Sequence, residues 1–345
     1  MALTSLVIQT SFLGDMVLTT PLLSELAARG PVDVVATPAS AGLLANHPGV
    51  REVIVYDKRG VARGMTGLLR LARTLRARRY GAAFLAQGSM RSAALARLAG
   101  ARERIGFTTS AGRALYTTRV TYRDDRHHAE RLWRLAAGDA APSPPEERVR
   151  PRLYPGHAER AAVDALLADG GYRGGPLWVL APGSVWPTKA WPYYDALAER
   201  LVTSGFIVVI GGAGEAALAE RVVAAADRAA GAGRAVSAAG RLSLLASAEL
   251  MARATAAIVN DSLPQHLASA AGTPTVAVFG PTVPEFGFGP LAPRRRVLGH
   301  EGLACRPCDR HGPRRCPLGH WRCMREIDAA TVAEAARAVT STFSQ

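Results

Sequence analysis

Five short segments of this 345-residue chain collect the side chains that do chemistry. The first, TSFLGD at 10–15, sets Ser11, Gly14 and Asp15 directly after an apolar run. Gly14 permits tight backbone geometry there. Asp15 stands where a helix would begin, so it reads either as a helix N-cap or as a carboxylate placed to take a proton from a hydroxyl. The second segment, PGSVWPTKAWP at 182–192, offers Gly183, Ser184, Thr188 and Lys189 just ahead of an expected helix at 191–204. Hydroxyls and a cation at a helix N-terminus suit a phosphate, although the P-loop pattern is absent. A surface lysine is the alternative for Lys189, but the rarity of lysine in this chain favours a functional role. In the third, GGAGE at 211–215, Glu215 is placed to accept hydrogen bonds from a ribose diol, while a plain turn also explains the glycines. The fourth, NDSLPQH at 260–266, has Ser262 and Gln265 at capping-box spacing. That leaves Asp261 to face a ligand and puts His266 on the first helical turn, where packing is its simpler role.

The fifth segment holds all four cysteines, Cys305, Cys308, Cys316 and Cys323, with His311 and His320 among them. In a reducing compartment a disulfide framework is not expected. A Cys-x2-Cys followed by two more thiols has structural zinc spacing, and a set of reduced thiols is the alternative. A closed four-thiolate site would leave no open position, so catalysis would not run through it.

These segments need elements to hold them, and the sequence alternates strand and helix almost throughout. Apolar strands are expected at 4–10, 32–36, 52–56, 82–86 and near 104–107, with helices at about 16–29, 64–79, 89–99 and 127–138. Residues 141–156 are rich in Pro and charge and read as a linker. Beyond it, strands at 177–181, 206–211, 234–237, 256–260 and 275–279 alternate with helices at 191–204, 214–230, 242–253 and 263–271. The pattern predicts α/β architecture, with two Rossmann-like doubly wound parallel-sheet domains facing a central cleft. The expected domains are 1–150 and 151–345, the second including the Cys-rich segment 303–324 and a final helix at 328–343. In such sheets ligands bind at the carboxyl ends of the strands, where the first four segments fall.

Composition limits the functional classes. The chain is 48% hydrophobic with a mean hydropathy of +0.06, which excludes wholesale disorder. No basic, apolar leader opens it and no long uncharged run crosses it, so the expectation is a cytoplasmic protein. Of 42 basic residues only Lys58 and Lys189 are lysines, and the formal net charge is +14. Between Lys58 and Arg134 there are 18 basic and 4 acidic residues, which favours an anionic partner. The Arg-rich run at 68–80 reads as a solvated helix face.

The segments TSFLGDMVLTTP, PGSVWPTKAWP, GGAGE and NDSLPQHLASAAGTPTVAVFGPT together resemble the ADP-heptose:lipopolysaccharide heptosyltransferases, glycosyltransferase family 9. The CPLGH-x-RCM stretch is similar to the subset termed heptosyltransferase II. The resemblance implies a GT-B fold and an inverting transfer of heptose from ADP-L-glycero-D-manno-heptose to the lipid A-Kdo/heptose inner core of lipopolysaccharide. It implies that Asp15 is the general base and that Ser184 and Lys189 hold the donor diphosphate. Glu215 would take the ribose, Asp261 the heptose hydroxyls and Ser262 a phosphate, with His266 closing the family's D-[ST]-G-x-x-H motif and Ser11, Gly14 and Thr188 completing the set. No divalent metal is required for that chemistry. Partners would be the nucleotide-sugar donor, a phosphorylated lipid A-core acceptor and the inner face of the cytoplasmic membrane. Leu263 replaces the usual motif glycine, and Gln265 stands where members carry Met or Ser. The rival readings are a GT-B enzyme of other nucleotide-sugar specificity, an epimerase, an inactive scaffold and a nucleic-acid-binding protein. The last lacks support, because aromatics are only 6% and do not interleave with the basic run.

Overall fold

A computed structural model describes residues 4–341 and divides the chain after Tyr154 into two compact α/β units. The first contains β1 (Ser5–Ile8), β2 (Val32–Ala36), β3 (Val50–Val55), β4 (Ala82–Leu85), β5 (Glu103–Phe107) and β6 (Thr118–Val120). They pair in the order β3-β2-β1-β4-β5-β6, every pair parallel. The second contains β7 (Leu177–Ala181), β8 (Phe206–Val209), β9 (Ala235–Ser237), β10 (Ala256–Asn260), β11 (Thr275–Phe279) and β12 (Arg295–Gly299). Its order is β12-β11-β10-β7-β8-β9, again all parallel.

Each sheet therefore has the same doubly wound order, counted from its own first strand. The order reverses between β1 and β4 in the first unit and between β7 and β10 in the second. At such a switch point the loops leave the sheet in opposite directions and open a crevice for a ligand. The loops after β1, β4, β7 and β10 are thus the ones the topology sets aside.

The central strands are apolar runs covered on both faces: β1, β2, β7, β10 and β11 are buried along their whole length. Helices fill the faces. Leu13–Ala27 buries nine residues although Pro21 lies within it, and Ala329–Thr340 packs Val332, Ala333, Ala336 and Val339 into the second core. Asp328 starts that last helix by accepting a hydrogen bond from Thr331 N at 2.8 Å. The edge strands β6 and β12, TRV and RRVLG, escape the sequence reading because Arg and exposed positions break their apolar signal. The helix His157–Asp169 escapes it too, with only Val163, Leu166 and Leu167 buried along an alanine-rich face.

Inside β2, Asp33 is fully buried and accepts from Arg51 Nε at 2.9 Å, Tyr80 OH at 2.6 Å and Arg78 at 3.1 Å. Burial pushes its carboxyl pKa up, but the hydrogen bonds from Arg51, Tyr80 and Arg78 outweigh that and hold it below 3.8. No helix among the described residues is long and apolar enough to cross a membrane.

Candidate active site

In the first unit the loop after β1 is pinned before it enters the helix. Gln9 is buried; its Oε1 accepts from Ser11 N at 3.2 Å and its Nε2 donates to Thr19 at 3.2 Å. From the loop after β4, Gln87 Nε2 reaches Thr10 Oγ1 at 2.6 Å, and Lys58 Nζ donates to Thr10 O at 2.6 Å. Asp15 is not the helix cap. Phe12 holds that position without a side-chain bond, and Asp15 lies in the first turn. Gly14 is a helical residue with no left-handed backbone, so the tight turn expected of it is not formed. Ser11 Oγ donates to Asp15 Oδ2 at 2.7 Å, and Asp15 Oδ1 faces His128 Nε2 at 4.0 Å. These groups line a cavity of about 280 Å³ with Gln87, Ser110 and Tyr122. A carboxylate among hydroxyls, an amide and a phenol is suited to bind a polyhydroxylated molecule and to take a proton from it.

The basic stretch 58–134 is partly structural. Arg131 and Arg134 are buried, and Arg104 is spent on the carbonyls of Leu115 and Ala101. Along the helix Gly64–Arg76, Arg70, Arg73 and Arg76 are exposed, as a solvated face would be.

In the second unit Asn260 joins the two switch-point loops. Its side chain donates to Pro182 O at 2.9 Å and accepts from Trp191 N at 3.1 Å. Thr188 and Lys189 lie on a 3-10 turn, Pro187–Lys189, and the helix begins only at Tyr194, so Lys189 is not at a helix N-terminus. Lys189 is buried and its Nζ donates to Asp261 Oδ2 at 2.6 Å. Asp261 also accepts from Thr282 Oγ1 at 2.6 Å and from Gln265 Nε2 at 2.9 Å. The carboxylate expected to face a ligand is instead the hub that fixes the Lys189 ammonium.

Gln265 donates to Asp261 and Phe288 O, and the Ser262–Gln265 capping box is not formed. The Ser262 hydroxyl is left buried without a hydrogen-bond partner at the start of the helix Leu263–Ala271. His266 is buried one turn in. Ser184 Oγ accepts from Trp186 N at 3.2 Å. Glu215 folds back to accept from Gly212 N at 2.7 Å and lies so close to Gly183 that a Cβ there would fall 1.8 Å from its Oε1. Gly183 thus lets the 182–192 and 211–215 loops meet.

The zinc expectation at Cys305, Cys308, Cys316 and Cys323 is not supported: among the described residues no three His, Cys, Asp or Glu side chains form a group that could hold a metal ion. Cys323 is buried in the second core, and burial pushes its thiol up to about 11. Cys305 lies 3.9 Å from His320 Nε2, and Cys308 donates to Cys305 O. Hydrogen bonds to the 182–192 loop and to Pro281 order this segment. Thr188 Oγ1 donates to Pro313 O, Trp321 Nε1 donates to Thr188 O at 3.0 Å, and Cys308 N donates to Pro281 O at 2.9 Å.

Sequence spacing located Ser11, Asp15, Lys189 and Asp261 but missed His128, Asn260 and Thr282. Their partners are distant in sequence, 69 residues for Asn260 and Trp191, and no local pattern marks them.

Comparison with known proteins shows the family and the fold. The model for glycosyltransferase family 9 (heptosyltransferase) matches residues 68–320. Lipopolysaccharide heptosyltransferase 1 of Pseudomonas aeruginosa is 32% identical over 88% of this chain and 85% of its own. Lipopolysaccharide heptosyltransferase 2 of Salmonella typhimurium is 30% identical over 85% and 87%. The solved structure of the E. coli ADP-heptose lipopolysaccharide heptosyltransferase II superposes with a TM-score of 0.79 at 26% identity, covering 98% of each chain.

Proposed function

The chain belongs to glycosyltransferase family 9, and from that premise we propose that it moves a heptose from ADP-L-glycero-D-manno-heptose to the inner core of lipopolysaccharide. It is a glycosyltransferase with the GT-B fold. Asp15 takes the proton of the acceptor hydroxyl. The freed oxygen attacks the anomeric carbon opposite the departing group, the carbon–oxygen bond to ADP breaks, and the configuration inverts.

ADP leaves with its electron pair, so negative charge grows on the diphosphate. Lys189 and the start of the helix Leu263–Ala271 are suited to stabilise that charge. The observation that carries this reading is Ser262: a buried hydroxyl with no partner, at a helix N-terminus, next in sequence to the carboxylate that holds the site's one lysine. A phosphate oxygen would satisfy it. Asp261 acts first through Lys189; an ammonium has three donors and the pair uses one. Ser184, Thr188 and Glu215 complete the donor side, Glu215 toward the ribose, and His266 supports the helix from within. In the first unit Ser11 holds one oxygen of Asp15, and Gly14 lies beside it in the first helical turn.

The first unit would receive a phosphorylated lipid A-core acceptor at the inner face of the cytoplasmic membrane. Phe12 (59% exposed) and Val61 (91%) lie on the loops after β1 and β3, with Arg59 and Arg63 beside Val61, and Met65 (66%) and Met90 (52%) lie in the first turns of the helices that follow β3 and β4. Apolar tips among arginines suit an anionic lipid surface.

Thermal unfolding of the purified protein with ADP, UDP, GDP and CDP tests the donor. Selective stabilisation by ADP, lost in Lys189→Ala, is expected; a preference for UDP or GDP would replace ADP-heptose with another donor.

A further inference from the structure

The face of Asp15 turned away from Ser11 meets a side chain to which nothing so far gives a role. His128 Nε2 stands 4.0 Å from Asp15 Oδ1, too far for a hydrogen bond. It is the right separation for one atom to bridge. An oxygen about 2.8 Å from both would subtend an angle of about 90°, some 20° tighter than the tetrahedral angle between the O–H bond and a lone pair of a hydroxyl group, a bend that hydrogen bonds tolerate.

His128 opens the helix His128–Ala137, which packs along the helix bearing Asp15. Arg131, from the same helix, donates to Tyr122 OH and to Asp124 O, both at 2.7 Å, and lies over the Tyr122 ring at 4.8 Å. Burial, and then the fixed Arg131 charge, push the His128 pKa down to about 3, so the ring is neutral at neutral pH. His128, Asp15 and Tyr122 share one cavity lining with Gln87 and Ser110.

We propose that His128 is a second catalytic residue, whose Nε2 grips the acceptor hydroxyl and aims its proton at Asp15 Oδ1. The proposal rests on the reading of Asp15 as the base. The hydroxyl accepts a hydrogen bond from Nε2–H and donates its own to the carboxylate. As the oxygen attacks the anomeric carbon its proton passes to Asp15, the bond to ADP breaks, and ADP departs with the electron pair. His128 neither gains nor loses a proton. The same grip selects which hydroxyl reacts, because only one that reaches both atoms is deprotonated in line.

The test compares His128→Ala, His128→Gln and Asp15→Asn in the full-length protein, with ADP-heptose and a lipid A-Kdo acceptor. His128→Ala should lower kcat by about 10- to 100-fold, leaving ADP affinity and Tm unchanged. His128→Gln, whose amide offers an N–H at a similar reach, should recover kcat to within about 5-fold of the wild type. A His128→Ala enzyme within about 3-fold of wild type overturns the proposal. So does equal loss in the Ala and Gln variants, since that marks a packing role. The underlying reading fails separately: Asp15→Asn retaining wild-type turnover removes the base itself.

Discussion

The Asp15 carboxylate sits in the first turn of a helix with no side-chain cap, one oxygen taken by Ser11 and the other turned to His128. A residue that merely began the helix would bond the backbone N–H groups of that turn. Asp15→Asn should therefore lower kcat by about 10²-fold or more while ADP affinity, measured by calorimetry, stays the same. Equal falls in Tm and activity would return Asp15 to a structural role. Lys189 makes a second prediction. Its stem packs on Gly312, where a Cβ would lie 3.2 Å from Lys189 Cγ and Cε, and its ammonium meets Asp261 at a single point. A planar guanidinium fits neither constraint. Lys189→Arg should weaken ADP binding about tenfold or more, as Lys189→Ala does, and wild-type affinity in the Arg variant would contradict the site. At this scale the sequence was legible as residue type and position. The scarcity of lysine pointed to Lys189, but its partner lies 72 residues away and was assigned a different task.

Between elements, the loops matter more than the strands that carry them. Gly183 and Glu215 belong to different loops, yet a methyl group on Gly183 would displace the Glu215 carboxylate. If Glu215 serves the ribose, Gly183→Ala and Glu215→Ala should lower ADP affinity by similar factors, and the double variant no further. Losses that simply add would separate the two residues. Among the strands, Asp33 ties β2 to Arg51 on β3. Its folded-state pKa is depressed, so its contribution is fully present above about pH 4 and is lost as pH falls through the lowered value. Asp33→Asn should cost about 2 kcal/mol at pH 7 by urea unfolding, a deficit that narrows as pH drops below 3.8. A constant deficit across that range would place the effect elsewhere. Continuous apolar runs made the central strands readable, because parallel strands are buried on both faces. The arginine-bearing edges β6 and β12 were not readable for the same reason in reverse. The Cys-rich segment misled because thiol spacing resembles a metal site, whereas hydrogen bonds to the 182–192 loop and to Pro281 order it.

On the scale of the whole molecule, two units share one strand order, and each has candidate site residues on the loops at its own switch point. We place the base in the first unit and the donor nucleotide in the second. ADP should therefore slow hydrogen exchange at 182–192 and 260–266, and protection confined to 10–15 would reverse that assignment. Transfer requires both sets of groups to act on one pair of substrates. The most direct test is to incubate the protein with ADP-L-glycero-D-manno-heptose and a lipid A-Kdo acceptor and to follow ADP release together with the acceptor's mass. One ADP should be released for each heptose added, and neither event should occur when acceptor is omitted or Asp15 is replaced by Asn. Consumption of the donor without acceptor, or an acceptor whose mass never changes, would contradict this reading.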